Sequence, residues 1–63
     1  MKRWNCKEGK EEENPLIDSF LKEIISVCKK HRLSISHEDG HGAFEVESYD
    51  EYNTQWLLEA HIK

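Results

Sequence analysis

The sequence predicts a small α+β domain with the order helix, β-hairpin, helix (αββα), preceded by a flexible N-terminal arm. Three observations carry that prediction. Apolar residues recur at helical spacing after Asn14-Pro15, residues alternate with period two on both sides of Asp39-Gly40, and a second amphipathic run follows Asp50. A chain of 63 residues holds one domain. Residues 1–13 are expected as the arm and residues 14–63 as the αββα domain.

The arm, "MKRWNCKEGKEEE", is polar and mixed in charge, with Trp4 as its one large aromatic side chain. In "NPLIDSFLKEIISVCKKHRL", Asn14 suits a helix cap and Pro15 the first helical turn. Leu16, Phe20, Ile24 and Val27 recur along the helix, with Ile17, Leu21, Ile25 and Cys28 beside them. That apolar face is wider than a thin hairpin and a short helix can cover. Lys29, Lys30, His31 and Arg32 close the helix, where cations complement the dipole.

"LSISHED" and "AFEVESY" follow as strands. Leu33, Ile35, Phe44 and Val46 are expected to face the helix, and Ser34, Ser36, Glu38, Glu45 and Glu47 to face away. Asp39-Gly40 signals a tight primed turn, and Gly42 adds a bulge or a second turn. "DEYNTQWLLEAHIK" reads as the second helix, capped by Asp50, with Tyr49, Tyr52, Trp56 and Ala60 on one stripe.

Charge is unevenly spread. Residues 1–13 carry four bases and four acids, residues 14–32 four bases and two acids, and residues 33–63 one base and seven acids. The net charge of -4 argues against general nucleic-acid binding and leaves room for one local anion site. No apolar run approaches the roughly 20 residues that cross a bilayer, so no membrane role is expected. Two cysteines and no secretory leader fit a reduced, cytoplasmic chain, with Cys28 as a small buried hydrophobe. A domain this small buries only about 60% of its unfolded surface, so a homo-oligomer is expected to supply the missing burial.

The stretch "HEDGHG" invites a metal or catalytic reading. His37, Asp39 and His41, with His31 in reserve, are legitimate ligand types, but alternation splits them between faces and the Cys-rich spacing of structural zinc is absent. His37 with Glu38 or Asp39 makes a base and an orienting carboxylate, yet Ser34 and Ser36 have no strained elbow to activate them. No metal, cofactor or catalytic site is therefore expected. The basic helix end is a solvated terminus or a phosphate clamp: Lys29, Lys30 and Arg32 donate to phosphate oxygens, and Ser34 and Ser36 follow directly. Trp56, Tyr49 and Tyr52 are core residues or stacking platforms for a base. The acidic second half is a solubilising surface or a mimic that engages a basic protein.

The run "RLSISHEDGHGAFEVESYDEYNTQWL", with the helix before it, resembles a family of small phage and prophage proteins of low-GC Gram-positive bacteria. The resemblance covers about residues 16 to 58 and places His37, Glu38, Asp39, Gly42, Phe44, Tyr49, Asn53 and Trp56 on its pattern. It carries over no catalytic motif. It implies a phage accessory protein that counters host defence, by sequestering a nucleotide immune signal between subunits or by binding a host protein. The residues expected for phosphates are Lys29, Arg32, Ser34 and Ser36. Those expected for base or ribose are His37, Glu38, Asp39, Asn53 and Trp56. The alternative is an inhibitor that uses the acidic hairpin against a host factor.

Overall fold

The computed structural model describes residues 1–38 and 40–63; Asp39, expected as both a turn and a ligand residue, lies outside them. Two helices and two separate antiparallel two-stranded sheets make a mixed α+β fold. The order is β1 (Lys2–Asn5), β2 (Lys10–Glu13), α1 (Pro15–His31), β3 (Leu33–His37), β4 (Phe44–Ser48) and α2 (Glu51–Leu58).

The expected flexible arm is a hairpin. Its strands pair Lys2 with Glu13, Arg3 with Glu12, Trp4 with Glu11 and Asn5 with Lys10. Lys2 thus stands opposite Glu13, a charge arrangement that favours the pairing, while Glu12 accepts from Asn5 Nδ2. Asn5 organises the turn: its Oδ1 accepts from the amides of Lys7 and Glu8, both at 2.9 Å. Gly9 closes it at φ 66°, a left-handed conformation that favours glycine. The hairpin is tied down by Arg3, whose side chain is completely buried. Its guanidinium donates to Asp18 Oδ1 at 2.7 and 3.1 Å, to Ala60 O at 3.1 Å and to Leu58 O. Helix α2 has no base in its own last turn. Arg3 therefore supplies from far along the chain the cation that the exposed carbonyls at its end favour. Residues beyond α2 complete the docking, since Ile62 bonds Trp4 O at 2.8 Å and Cys6 N bonds Ile62 O at 2.7 Å.

Helix α1 starts where the sequence places it. Asn14 Oδ1 accepts from Ile17 N at 3.0 Å, with Pro15 in the first turn. It ends at Arg32, a non-glycine residue at φ 61°, which costs about 1–2 kcal/mol. The helix buries Leu21 and Cys28, two turns apart on one stripe. Leu16, Phe20 and Val27 stay 80%, 58% and 56% exposed. At about 100° per residue they sit roughly 100–140° around the helix from Leu21. The apolar face is as wide as expected, and the chain covers only half of it.

The β3–β4 hairpin turns its serine face to α2, against expectation, although Ile35 stays half-buried and Glu45 and Glu47 stay exposed as expected. Cross-strand register puts Ser34 with Glu47 and Ser36 with Glu45 on one face, and Ile35 with Val46 and His37 with Phe44 on the other. The expected inward residues Phe44, Val46 and Leu33 are exposed, Phe44 at 84%. Ser34, expected to face away, is 0% exposed. Its hydroxyl accepts from Asp50 N at 2.7 Å and lies 3.2 Å from both Asp50 O and Thr54 Oγ1. Two small polar residues, Ser34 and Thr54, let β3 and α2 approach closely, and the hydrogen bonds fix the start of α2. Helix α2 is capped by Asp50, whose Oδ1 accepts from Asn53 N at 3.1 Å, and ends at Leu58, short of the expected run. Its buried residue is Thr54, and the expected core residues Tyr52 and Trp56 project into solvent. The molecule spans 34 × 28 × 14 Å, a slab.

Candidate functional site

The turn at the tip of β3–β4 differs from the two-residue turn expected. The strands stop at His37 and Phe44, so the connection runs over residues 38–43. Glu38 organises it. Its carboxylate accepts from Gly40 N and His41 N, both at 2.8 Å, and lies 2.9 Å from His41 Nδ1. The His41 amide first, then the Gly40 amide, holds the Glu38 carboxyl below its ordinary pKa. Positive φ falls on Gly42, at 70°, rather than on Gly40. A Cβ at Gly40 would lie 2.6 Å from Glu38 Oε1, so a larger residue there would push that carboxylate away from the loop amides. The His37-Glu38 pair is thus divided, with Glu38 serving the loop and His37 the cleft described next.

Four of the expected ligand residues meet in one cleft. Ser36, His37, Asn53 and Trp56 line a cavity of about 230 Å³ together with Ile35, Phe44, Leu57 and Ala60. Strand β3 supplies its polar side, and α2 sets Asn53 and Trp56 at its mouth. Trp56 is 67% exposed, so its indole face is open to stacking. Asn53 is held by a bond from its Nδ2 to Glu47 on β4. The volume falls below the roughly 300 Å³ at which drug-sized pockets begin, so the cleft fits one ring system rather than a whole dinucleotide.

The basic residues form a second, separate recess. Lys29 and Arg32 line an open hollow of about 310 Å³ with Tyr49. Burial first, and then the bond to Glu51 Oε2 at 3.1 Å, raises the Tyr49 phenol above its ordinary pKa, so it stays a neutral donor. From Arg32 to His37 a strand rises about 16 Å. That exceeds the reach of a base to its own phosphate, so the phosphate and base groups expected to converge are not brought together around one mononucleotide. Ser34 belongs to neither recess, being locked against α2 and closed both to phosphate and to attack on a substrate.

Several lining residues escaped the sequence reading. Phe44 and Ile35 carry the alternation of a core strand, and their place in an open cleft depends on the face inversion. Tyr49, expected as a core residue or a stacking platform, sits half-buried beside the cations. Among the described residues no group of three metal-ligating side chains is assembled, and no helix is long and apolar enough to cross a membrane. Set beside known proteins, the chain matches no family model, no curated protein and no solved structure.

Proposed function

We propose that this chain is a non-enzymatic phage accessory protein that sequesters a nucleotide-derived signal in the cytoplasm of an infected bacterium. The observation that carries the binding reading is the open indole of Trp56 at the mouth of an apolar cleft rimmed by Ser36, His37 and Asn53. A planar base stacked there gains dispersion and ring contact, while the rim offers donors and acceptors to its edge. Phosphate goes to Lys29 and Arg32, which requires an extended ligand such as a dinucleotide, or one shared between two copies of a homo-oligomer. The phage origin and the role against host defence rest on the sequence pattern alone.

Titration calorimetry against a panel of purine mononucleotides and cyclic and linear dinucleotides tests this. Binding is expected for the extended ligands, and Trp56→Ala is expected to weaken it about tenfold to a hundredfold, the range of one lost stacking contact. Because Trp56 is exposed, that substitution leaves the melting temperature nearly unchanged. Absence of heat with every nucleotide overturns the reading.

One observation favours a second reading. Among the described residues strand β4 pairs only with β3; it is exposed at all five positions and carries Glu45 and Glu47. A free acidic edge suits an inhibitor that docks on a basic host protein. Such a chain ignores nucleotides and loses its target on Glu45→Lys.

A further inference from the structure

We infer that the uncovered stripe of α1 is a homodimer seam, in which the helices of two copies pack antiparallel about a two-fold axis near residue 22. This deepens, and rests on, the self-association proposed above.

The need for a second copy comes from burial. Leu21 and Cys28 are the buried apolar side chains, while Leu16, Phe20, Val27, Leu33, Phe44 and Val46 are exposed. Domains are built from at least two packed layers around a core, and this chain is only 14 Å thick. A second copy supplies such a layer, and it is the partner present wherever the chain is made. An ellipse with the slab's 34 and 28 Å axes covers about 750 Å², so a whole broad face would approach the roughly 800 Å² per partner of a standard interface, and a seam along α1 covers part of that area.

The choice of α1 comes from continuity and charge. Leu16, Phe20, half-buried Ile24 and Val27 form one stripe along three turns. An antiparallel pairing centred near residue 22 sets Leu16 against the partner's Val27 and Phe20 against the partner's Ile24. It also brings the basic helix end, with Lys30 and His31, towards the partner's helix start, where Glu13 stands just before Asn14. Opposite helix dipoles then lie side by side. The competing self-contact, β4 on β4, puts Glu45 opposite the partner's Glu47 on both sides of the axis, and like charges directly opposed are destabilising.

Sedimentation velocity and cysteine pairing test the seam. The wild-type chain is expected to sediment at twice its 7.5 kDa mass, at about 10 µM and above, because assembly follows mass action. Phe20→Glu is expected to weaken the dimer on the order of a hundredfold, since it buries an unpaired charge. Leu16→Cys and Val27→Cys, each made with Cys6→Ser, are expected to form a mixed disulfide when combined in a glutathione redox buffer, and little disulfide when alone. Both positions are exposed in the single chain, so the pairing remains readable even where Phe20→Glu fails to fold. A monomeric wild-type chain overturns self-association and the seam together. A wild-type dimer that survives Phe20→Glu, or in which Leu16→Cys pairs with itself, overturns the seam and leaves both self-association and nucleotide binding standing.

Discussion

The molecule contains two antiparallel hairpins of similar size, and they are held in opposite ways. The N-terminal hairpin, β1–β2, has a charged strand sequence and a buried arginine that reaches three other parts of the chain. The β3–β4 hairpin has the alternating sequence of a core sheet, yet Ser34 on β3 and Glu47 on β4 fix it to α2 through small polar contacts and most of its apolar face is open. The polar hairpin is therefore the more completely satisfied within a single chain. Satisfying Arg3 needs only carbonyls and a carboxylate, which the chain supplies, whereas covering Phe44 and Val46 needs area, which 63 residues do not provide.

The largest expected effect tests the arginine. Arg3→Ala removes the partner of Asp18 and of the carbonyls of Leu58 and Ala60. Losing the buried guanidinium that bonds a partly exposed carboxylate and two carbonyls costs about 2–3 kcal/mol, a large share of the roughly 3–9 kcal/mol a chain this long holds. Urea denaturation is expected to show a midpoint lowered accordingly, with the signals of residues 2–13 and 59–63 lost together. Ser34→Ala, the matching change in the other hairpin, is expected to cost about half as much, because it removes neutral hydrogen bonds only. Equal costs would erase the contrast between the hairpins.

How much of this was legible follows from how local each signal is. Asn14-Pro15 and Asp50 act within one turn, so both helix starts were readable from neighbours alone. The β3–β4 strands were readable from alternation, but alternation is symmetric: it says that two faces differ, not which one meets α2. Ser34 and Thr54 decided that through size and hydrogen bonding, across 20 residues. The N-terminal hairpin was obscured because its lysines and glutamates are poor strand formers. A signal was nonetheless present: bases precede the turn and acids follow it, in mirrored register. Of the site, His37, Asn53 and Trp56 were expected together and share one cleft, whereas the move of Ser36 from the expected phosphate group into that cleft, and its separation from Lys29 and Arg32, depend on where β3 runs.

A smaller effect separates stability from binding at the junction between α1 and the β3–β4 hairpin. Arg32 holds a left-handed conformation that glycine adopts without strain. Arg32→Gly is expected to raise stability by about 1 kcal/mol in thermal unfolding. It is also expected to weaken anion binding in the recess shared with Lys29, because it removes the guanidinium fork. A variant that is more stable and still binds dinucleotides normally would take Arg32 out of the site and leave its strain without a function.

The mildest perturbation is pH, and it distinguishes the two hairpins on its basic side. Each relies on a carboxylate held below its ordinary pKa. For Asp18 the N-terminal ammonium is the leading cause, followed by Arg3; for Glu38 it is the His41 amide. A depressed carboxyl contributes stability above its unfolded value, 3.8 for Asp18 and 4.5 for Glu38, and loses it as pH falls through the lower folded value. Acid therefore loosens both. Base acts on one alone. The Met1 ammonium, 2.9 Å from Asp18 and 3.2 Å from Glu13, is raised above 8.0 chiefly by its bond to Asp18. Its contribution is complete below that value and is lost as pH rises through the raised one. Hydrogen exchange between pH 7 and 10, corrected for intrinsic rates, is expected to show protection falling in β1–β2 while the bonds from Gly42 N to Glu38 O and Glu38 N to Ala43 O keep theirs. Parallel loss in both would mean that the ammonium adds nothing beyond Arg3, and that the buried guanidinium alone holds the first hairpin in place.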